Sequence, residues 1–120
     1  EGRVHFPGFV ADQDLPILYS LAFVFAFPSG YEGFGLPVLE AMACGIPVVA
    51  ANNSSLPEVV GQAGIMIDAG DSAALSEALE ELVCNDSLRA RLITAGHEQA
   101  CRFTWKAAAE RLLAAYKACR

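Results

Sequence analysis

The run Phe23-Val24-Phe25-Ala26-Phe27 contains no polar residue and stops at Pro28-Ser29-Gly30. An apolar and aromatic run bounded by turn residues reads as a strand buried on both faces, and such strands belong to parallel sheets covered by helices on each side. The rest of the chain keeps this alternation. Val4-His5-Phe6 reads as a first strand, Val48-Val49-Ala50 as the next after the aromatic run, and Ile65-Met66-Ile67 as a fourth. Helical patterns separate them, beginning with Asp12 to Leu21 and its acidic first turn. The expected fold class is therefore α/β, a parallel sheet flanked by helices.

The helix boundaries are well marked. Pro37 suits a first helical position, Gly45 a C-terminal cap, and Pro47 prevents continuation, so a helix is expected from about Pro37 to Cys44. Ser55-x-x-Glu58 has the form of a capping box opening a short helix, ended by Gly61 or Gly64. From Asp71 the pattern is wholly helical, with Leu75, Ala78, Leu79, Leu82 and Val83 at helical spacing behind the Asp71 cap. Two further helices start near Ser87 and Thr104. In the last, Trp105, Ala108, Ala109, Leu112 and Tyr116 form one apolar stripe, expected to pack into the core or against a domain this chain lacks. Residues 1–120 read as a single domain.

Several function classes are excluded. The net charge is −6, and residues 1–86 hold one basic residue, Arg3, against twelve acidic ones. An acidic body argues against nucleic acid, whose binding rests on rows of Lys and Arg. No apolar run approaches the roughly 20 residues of a membrane span, and Glu1-Gly2-Arg3 is not the start of a secretory signal. The opening instead reads as the inside of a longer chain. Cys44, Cys84, Cys101 and Cys119 are far apart, with no histidine at ligand spacing, so a metal site is not expected; they read as buried or half-buried reduced thiols of a cytoplasmic protein. His5 and His97 read as structural.

The chemistry lies in the stretch from Pro28 to Gly45, which follows a buried strand and runs into a helix. Ligands of open α/β sheets bind at that end of the strands. Gly33 and Gly35 let a backbone approach a ligand closely, and the first amides of the helix can donate to phosphate or sugar oxygens. Glu40, one turn into the helix, can accept two hydrogen bonds from a vicinal diol such as a ribose, and Glu32 lies in the loop beside a sugar. Two such glutamates alone would read as surface charge.

The full run Tyr31-Glu32-Gly33-Phe34-Gly35-Leu36-Pro37-Val38-Leu39-Glu40-Ala41-Met42-Ala43-Cys44-Gly45 resembles the Glu-x7-Glu signature of retaining glycosyltransferases of the family 4 type, with the two-Rossmann-domain (GT-B) architecture, especially bacterial polysaccharide mannosyltransferases. The likeness extends to Phe6-Pro7-Gly8-Phe9-Val10, Asp14-Leu15, Pro47-Val48-Val49-Ala50, Pro57-Glu58-Val59-Val60-Gly61 and Phe103-Thr104-Trp105. It implies a Rossmann-like domain, the donor-binding C-terminal half of such an enzyme with extra C-terminal helices. By this resemblance Glu32 would be catalytic, touching donor-sugar hydroxyls near the reacting centre. Gly33, Phe34, Gly35 and Leu36 would reach sugar and diphosphate, and Glu40 would bind ribose.

Phe9 and Val10 are candidates for the base pocket, with ordinary strand-end packing as the alternative; Glu58 either caps its helix or lines the pocket. Ser54 and Ser55 stand where relatives carry small residues near the donor. The aromatic residues Phe23, Phe25 and Phe27 are expected in the core.

The implied parent transfers a hexose, mannose as first guess, from a GDP- or UDP-sugar to a saccharide or lipid-linked acceptor. It needs no cofactor or metal and works in the cytoplasm, at the inner membrane face through the missing half. That half, an N-terminal Rossmann-like domain, would supply the acceptor site. Such enzymes also place an Arg and a Lys on the leaving diphosphate; here nothing basic lies between Arg3 and Arg89, so the isolated chain is expected to be inactive. The rivals are a non-catalytic nucleotide-sugar-binding module, a sugar-nucleotide epimerase built from the same two domains, and a phosphoacceptor signalling domain. The last lacks its lysine, since none occurs before Lys106.

Overall fold

The computed structural model describes residues 2–119. Helix α1 spans Leu15–Leu21, strand β1 Phe25–Phe27, α2 Leu36–Ala43, β2 Val48–Ala51, α3 Leu56–Val60 and β3 Gly64–Ile67. Three helices follow, α4 Ser72–Cys84, α5 Asp86–Arg102 and α6 Trp105–Ala118. The strands form a parallel sheet in the order β1-β2-β3, with Phe25 opposite Val48 and Val48 opposite Gly64.

The alternation of side chains along β2 builds two cores. Val48 and Ala50 face α2 and α3, where they meet Val38, Ala41, Met42, Leu56, Val59 and Val60. Val49 points the other way, to Ala78 and Leu82 of α4 and Leu92 of α5. Every residue of β2 is fully buried, as expected of the central strand of a sheet covered on both faces. By the same period of two, Phe25 and Phe27 join the first core and Val24 the second.

Helix α2 ends as its sequence requires. Gly45 takes a φ of 77°, and its amide donates to Met42 while that of Ile46 donates to Ala41. This pair of bonds is a Schellman motif, which satisfies the last carbonyls and sends the chain straight into β2, with Ile46 buried beside the turn. Asp71 and Thr104 cap α4 and α6 through their side chains, at 2.9 and 3.1 Å.

Four expectations need correction, and a fifth is narrowed. Val4-His5-Phe6 is not a strand: the segment has no ladder partner and its side chains are exposed, and an unpaired strand gains nothing for its apolar residues. The aromatic strand is shorter than its apolar run, and it is an edge strand. Phe23 therefore stays nearly half exposed, under the Arg89 guanidinium at 4.3 Å, rather than in the core. The capping box does not form, because Ser55 makes no side-chain bond to its own helix. Cys84, Cys101 and Cys119 are exposed, and only Cys44 is half-buried. Finally, of the two places expected for the α6 stripe, the core of this chain is not the one: α6 buries no residue, with Trp105 90% exposed and Tyr116 65%.

Candidate functional site

The stretch that begins after β1 folds into a loop over the end of the sheet and then into α2. Gly35 is the N-cap of α2 and adopts a φ of 96°. A Cβ there would also lie 2.7 Å from Cδ2 of Leu56, so both the backbone and the packing require glycine. At Gly33, by contrast, a Cβ would meet nothing within 4 Å, so the loop is open on that side.

The backbone of this loop is polarised. Among the described residues, the amides of Gly33, Phe34, Gly35 and Leu36 donate to no acceptor. Several of the carbonyls are taken. Asn53 Nδ2 donates to Ser29 O at 3.0 Å, Ser54 Oγ to Glu32 O, and Ser55 Oγ to Phe34 O at 2.9 Å. Free amides leading into a helix N-terminus are an anion-binding arrangement.

The two glutamates are held separately. Glu32 is half-buried, and its Oε1 accepts from Ser29 Oγ at 2.8 Å. Glu40 is exposed on α2, where its Oε2 accepts from the Tyr19 hydroxyl of α1 at 3.0 Å. Burial pushes the Tyr19 phenol up to about 12 from its usual 10.0, and the bond to Glu40, the Glu40 charge and Cys44 push in the same direction. Tyr19 thus stays a hydroxyl donor across the physiological range and orients one carboxylate oxygen.

Three of the predicted residues fall on two walls. Glu40 lines a hollow of about 480 Å³ with Asp12, Leu15, Pro16 and Tyr19. Phe34 and Leu36 line another of about 330 Å³ between α2 and α6, with Glu58, Phe103 and Trp105. In that second hollow Phe103 meets Phe34 edge to face at 5.9 Å. Glu32, Gly33, Gly35, Phe9 and Val10 line neither hollow; Phe9 is 92% exposed on the N-terminal segment.

Some site neighbours were not legible in the sequence. Tyr19 has no motif, and only the packing of α1 on α2 brings it to Glu40. Arg102 and Arg111 come from α5 and α6 to the same wall as Phe34, so the loop has cations beside it although none is near in sequence. Phe103, part of Phe103-Thr104-Trp105, was marked by the family pattern but not by any chemistry of its own. Asp12-Gln13-Asp14 has the spacing of a paired-aspartate metal motif, yet among the described residues no three His, Cys, Asp or Glu side chains come together to hold an ion.

Over 117 residues the chain is 47% identical to O-antigen chain mannosyltransferase B of Escherichia coli, an alignment covering 98% of this chain and 31% of that protein. It is 41% identical over 116 residues to D-inositol 3-phosphate glycosyltransferase of Corynebacterium diphtheriae, covering 95% and 27%. Among solved structures, sucrose-phosphate synthase from Thermosynechococcus elongatus superposes with a TM-score of 0.84 at 33% identity, over 96% of this chain and 30% of that one. The chain spans less than a third of the length of these curated relatives. Residues 1–99 match the model of the glycosyl transferases group 1, and the chain belongs to that family.

Proposed function

We propose that the chain is the donor-binding C-terminal half of a retaining two-domain glycosyltransferase of the family 4 type, moving a hexose from a nucleotide-sugar to a polysaccharide or lipid-linked acceptor. The reading rests above all on the loop from Gly33 to Leu36, whose unpaired amides lead into α2 with a carboxylate on either side. A sugar nucleotide has the matching chemistry: hydroxyls for Glu32, a diphosphate for the amides and a ribose diol for Glu40. The names of the relatives support sugar transfer, and mannose is the first choice because the O-antigen protein is a mannosyltransferase. GDP or UDP would carry the sugar.

In this reading Glu32 stabilises positive charge that develops on the donor sugar, while Ser29 keeps one of its oxygens in place. No cofactor or metal takes part. The leaving diphosphate gains from the α2 dipole, and the other half of the enzyme supplies further cations and the acceptor site. The chain alone transfers nothing, and the whole enzyme works on the cytoplasmic side of the membrane. The test is the anomeric configuration of the product made by the full-length protein from GDP-mannose, followed by NMR. Retention is expected, and Glu32→Gln should lower kcat about a hundredfold or more. An inverted product would contradict the mechanism, and wild-type kcat in the variant would remove Glu32 from it.

A further inference from the structure

Ser54 and Ser55 use their hydroxyls in a way that their own turn does not explain. Ser55 occupies the N-cap of α3, where its side chain could accept an amide of that helix, but it donates instead to Phe34 O at 2.9 Å and, more distantly, to Glu32 O at 3.5 Å. Ser54 stands at φ 51°, the left-handed region, and is the one non-glycine among the described residues with positive φ. That conformation costs a side chain free energy, and it carries Ser54 Oγ onto Glu32 O. Two serines thus forgo local stability for bonds to a loop more than twenty residues away.

The consequence follows from peptide geometry. No peptide bond in the described chain is cis, so each carbonyl and the next amide point in opposite directions. A tether on Glu32 O turns the Gly33 amide away from the serines, and a tether on Phe34 O does the same for Gly35. Those amides lack acceptors, and Gly33 has open space beside it.

We propose that Ser54 and Ser55 are positioning residues, which fix the Glu32 and Phe34 carbonyls so that the Gly33 and Gly35 amides are aimed, before binding, at an anionic group of the donor. This rests on the donor-site reading above. It also makes the serines set affinity without touching ligand, since donors held in place lose little entropy when the ligand arrives.

The experiment compares the chain with its Ser54→Gly, Ser55→Ala and Ser55→Thr variants. It records the amide resonances of Gly33 and Gly35, the melting temperature, and the Kd for GDP and UDP. Ser54→Gly relieves the strained φ, so it should melt no lower than wild type while its Gly33 amide shifts and nucleotide affinity falls about three- to tenfold. Ser55→Ala should shift Gly35 and weaken binding by a similar factor, and Ser55→Thr, which keeps the hydroxyl, should bind as wild type. Unchanged Gly33 and Gly35 resonances in Ser54→Gly and Ser55→Ala overturn the proposal, as does a Ser55→Thr variant as defective as Ser55→Ala. If wild type binds neither nucleotide, the donor reading fails by itself, and the resonances still decide whether the serines aim the amides.

Discussion

Tyr19 shows at the scale of one residue how the site is tuned. Its folded-state pKa lies above the usual 10.0, so the fold favours the neutral phenol, and that contribution is complete below about pH 10 and lost as the pH rises through about 12. Thermal melts of wild type and Tyr19→Phe should therefore run parallel up to pH 10 and diverge above it, with wild type alone losing the additional stability. Parallel curves to pH 12 would mean that Tyr19 is neither buried nor bonded to Glu40 in solution as the structure has it. Gly35 makes a second test. Alanine there would meet Leu56 at 2.7 Å and adopt a positive φ, at a cost of roughly 1–3 kcal/mol in urea denaturation. The glycine at 35 was legible from the sequence as a close-approach position, whereas the Leu56 contact was not, since it depends on how α3 packs.

Among the elements, legibility followed how local the signal was. The limits of α2 were written in Pro37, Gly45 and Pro47, and α4 and α6 in the caps Asp71 and Thr104; these devices act within one turn and need no tertiary context. Strands were less secure because pairing is a long-range event. Val48–Ala51 found neighbours on both sides, Phe25–Phe27 on one, and Val4–Phe6 none, although all three runs look strand-like. The Ser55-x-x-Glu58 pattern failed because the Ser55 hydroxyl had a non-local partner, the Phe34 carbonyl, that the local pattern could not reveal. Of the candidate site, Glu32, the glycine loop and Glu40 were legible as a motif, but Tyr19, Arg102 and Arg111 reach it only through helix packing. Leu82 of α4, fully buried against Val49, sets the strength of the second core, and Leu82→Ala should cost about 2–5 kcal/mol in denaturant titration.

The chain is more extended than a domain of its size need be. Its radius of gyration is 15.9 Å and its extents are 60 × 30 × 28 Å, where a compact chain of this length would have a radius of roughly 13–14 Å. The N-terminal segment and α6 carry exposed large apolar groups, of which Phe6, Phe9 and Trp105 are about nine-tenths exposed. A side chain left nine-tenths exposed contributes little, so Trp105→Ala should change the stability of this chain by less than about 0.5 kcal/mol in thermal melts. A large loss would mean that α6 folds back onto the sheet in solution.

Binding of a sugar nucleotide to the loop and α2 through Glu40 is measured by a ligand-observed NMR titration of the chain with GDP, UDP, ADP and GDP-mannose, repeated with Glu40→Ala. Binding should prefer one base and weaken about tenfold or more in the variant, as expected for lost hydrogen bonds to a charged group. A folded chain that binds no nucleotide at millimolar concentration, or binds equally well without Glu40, would contradict the donor-site reading.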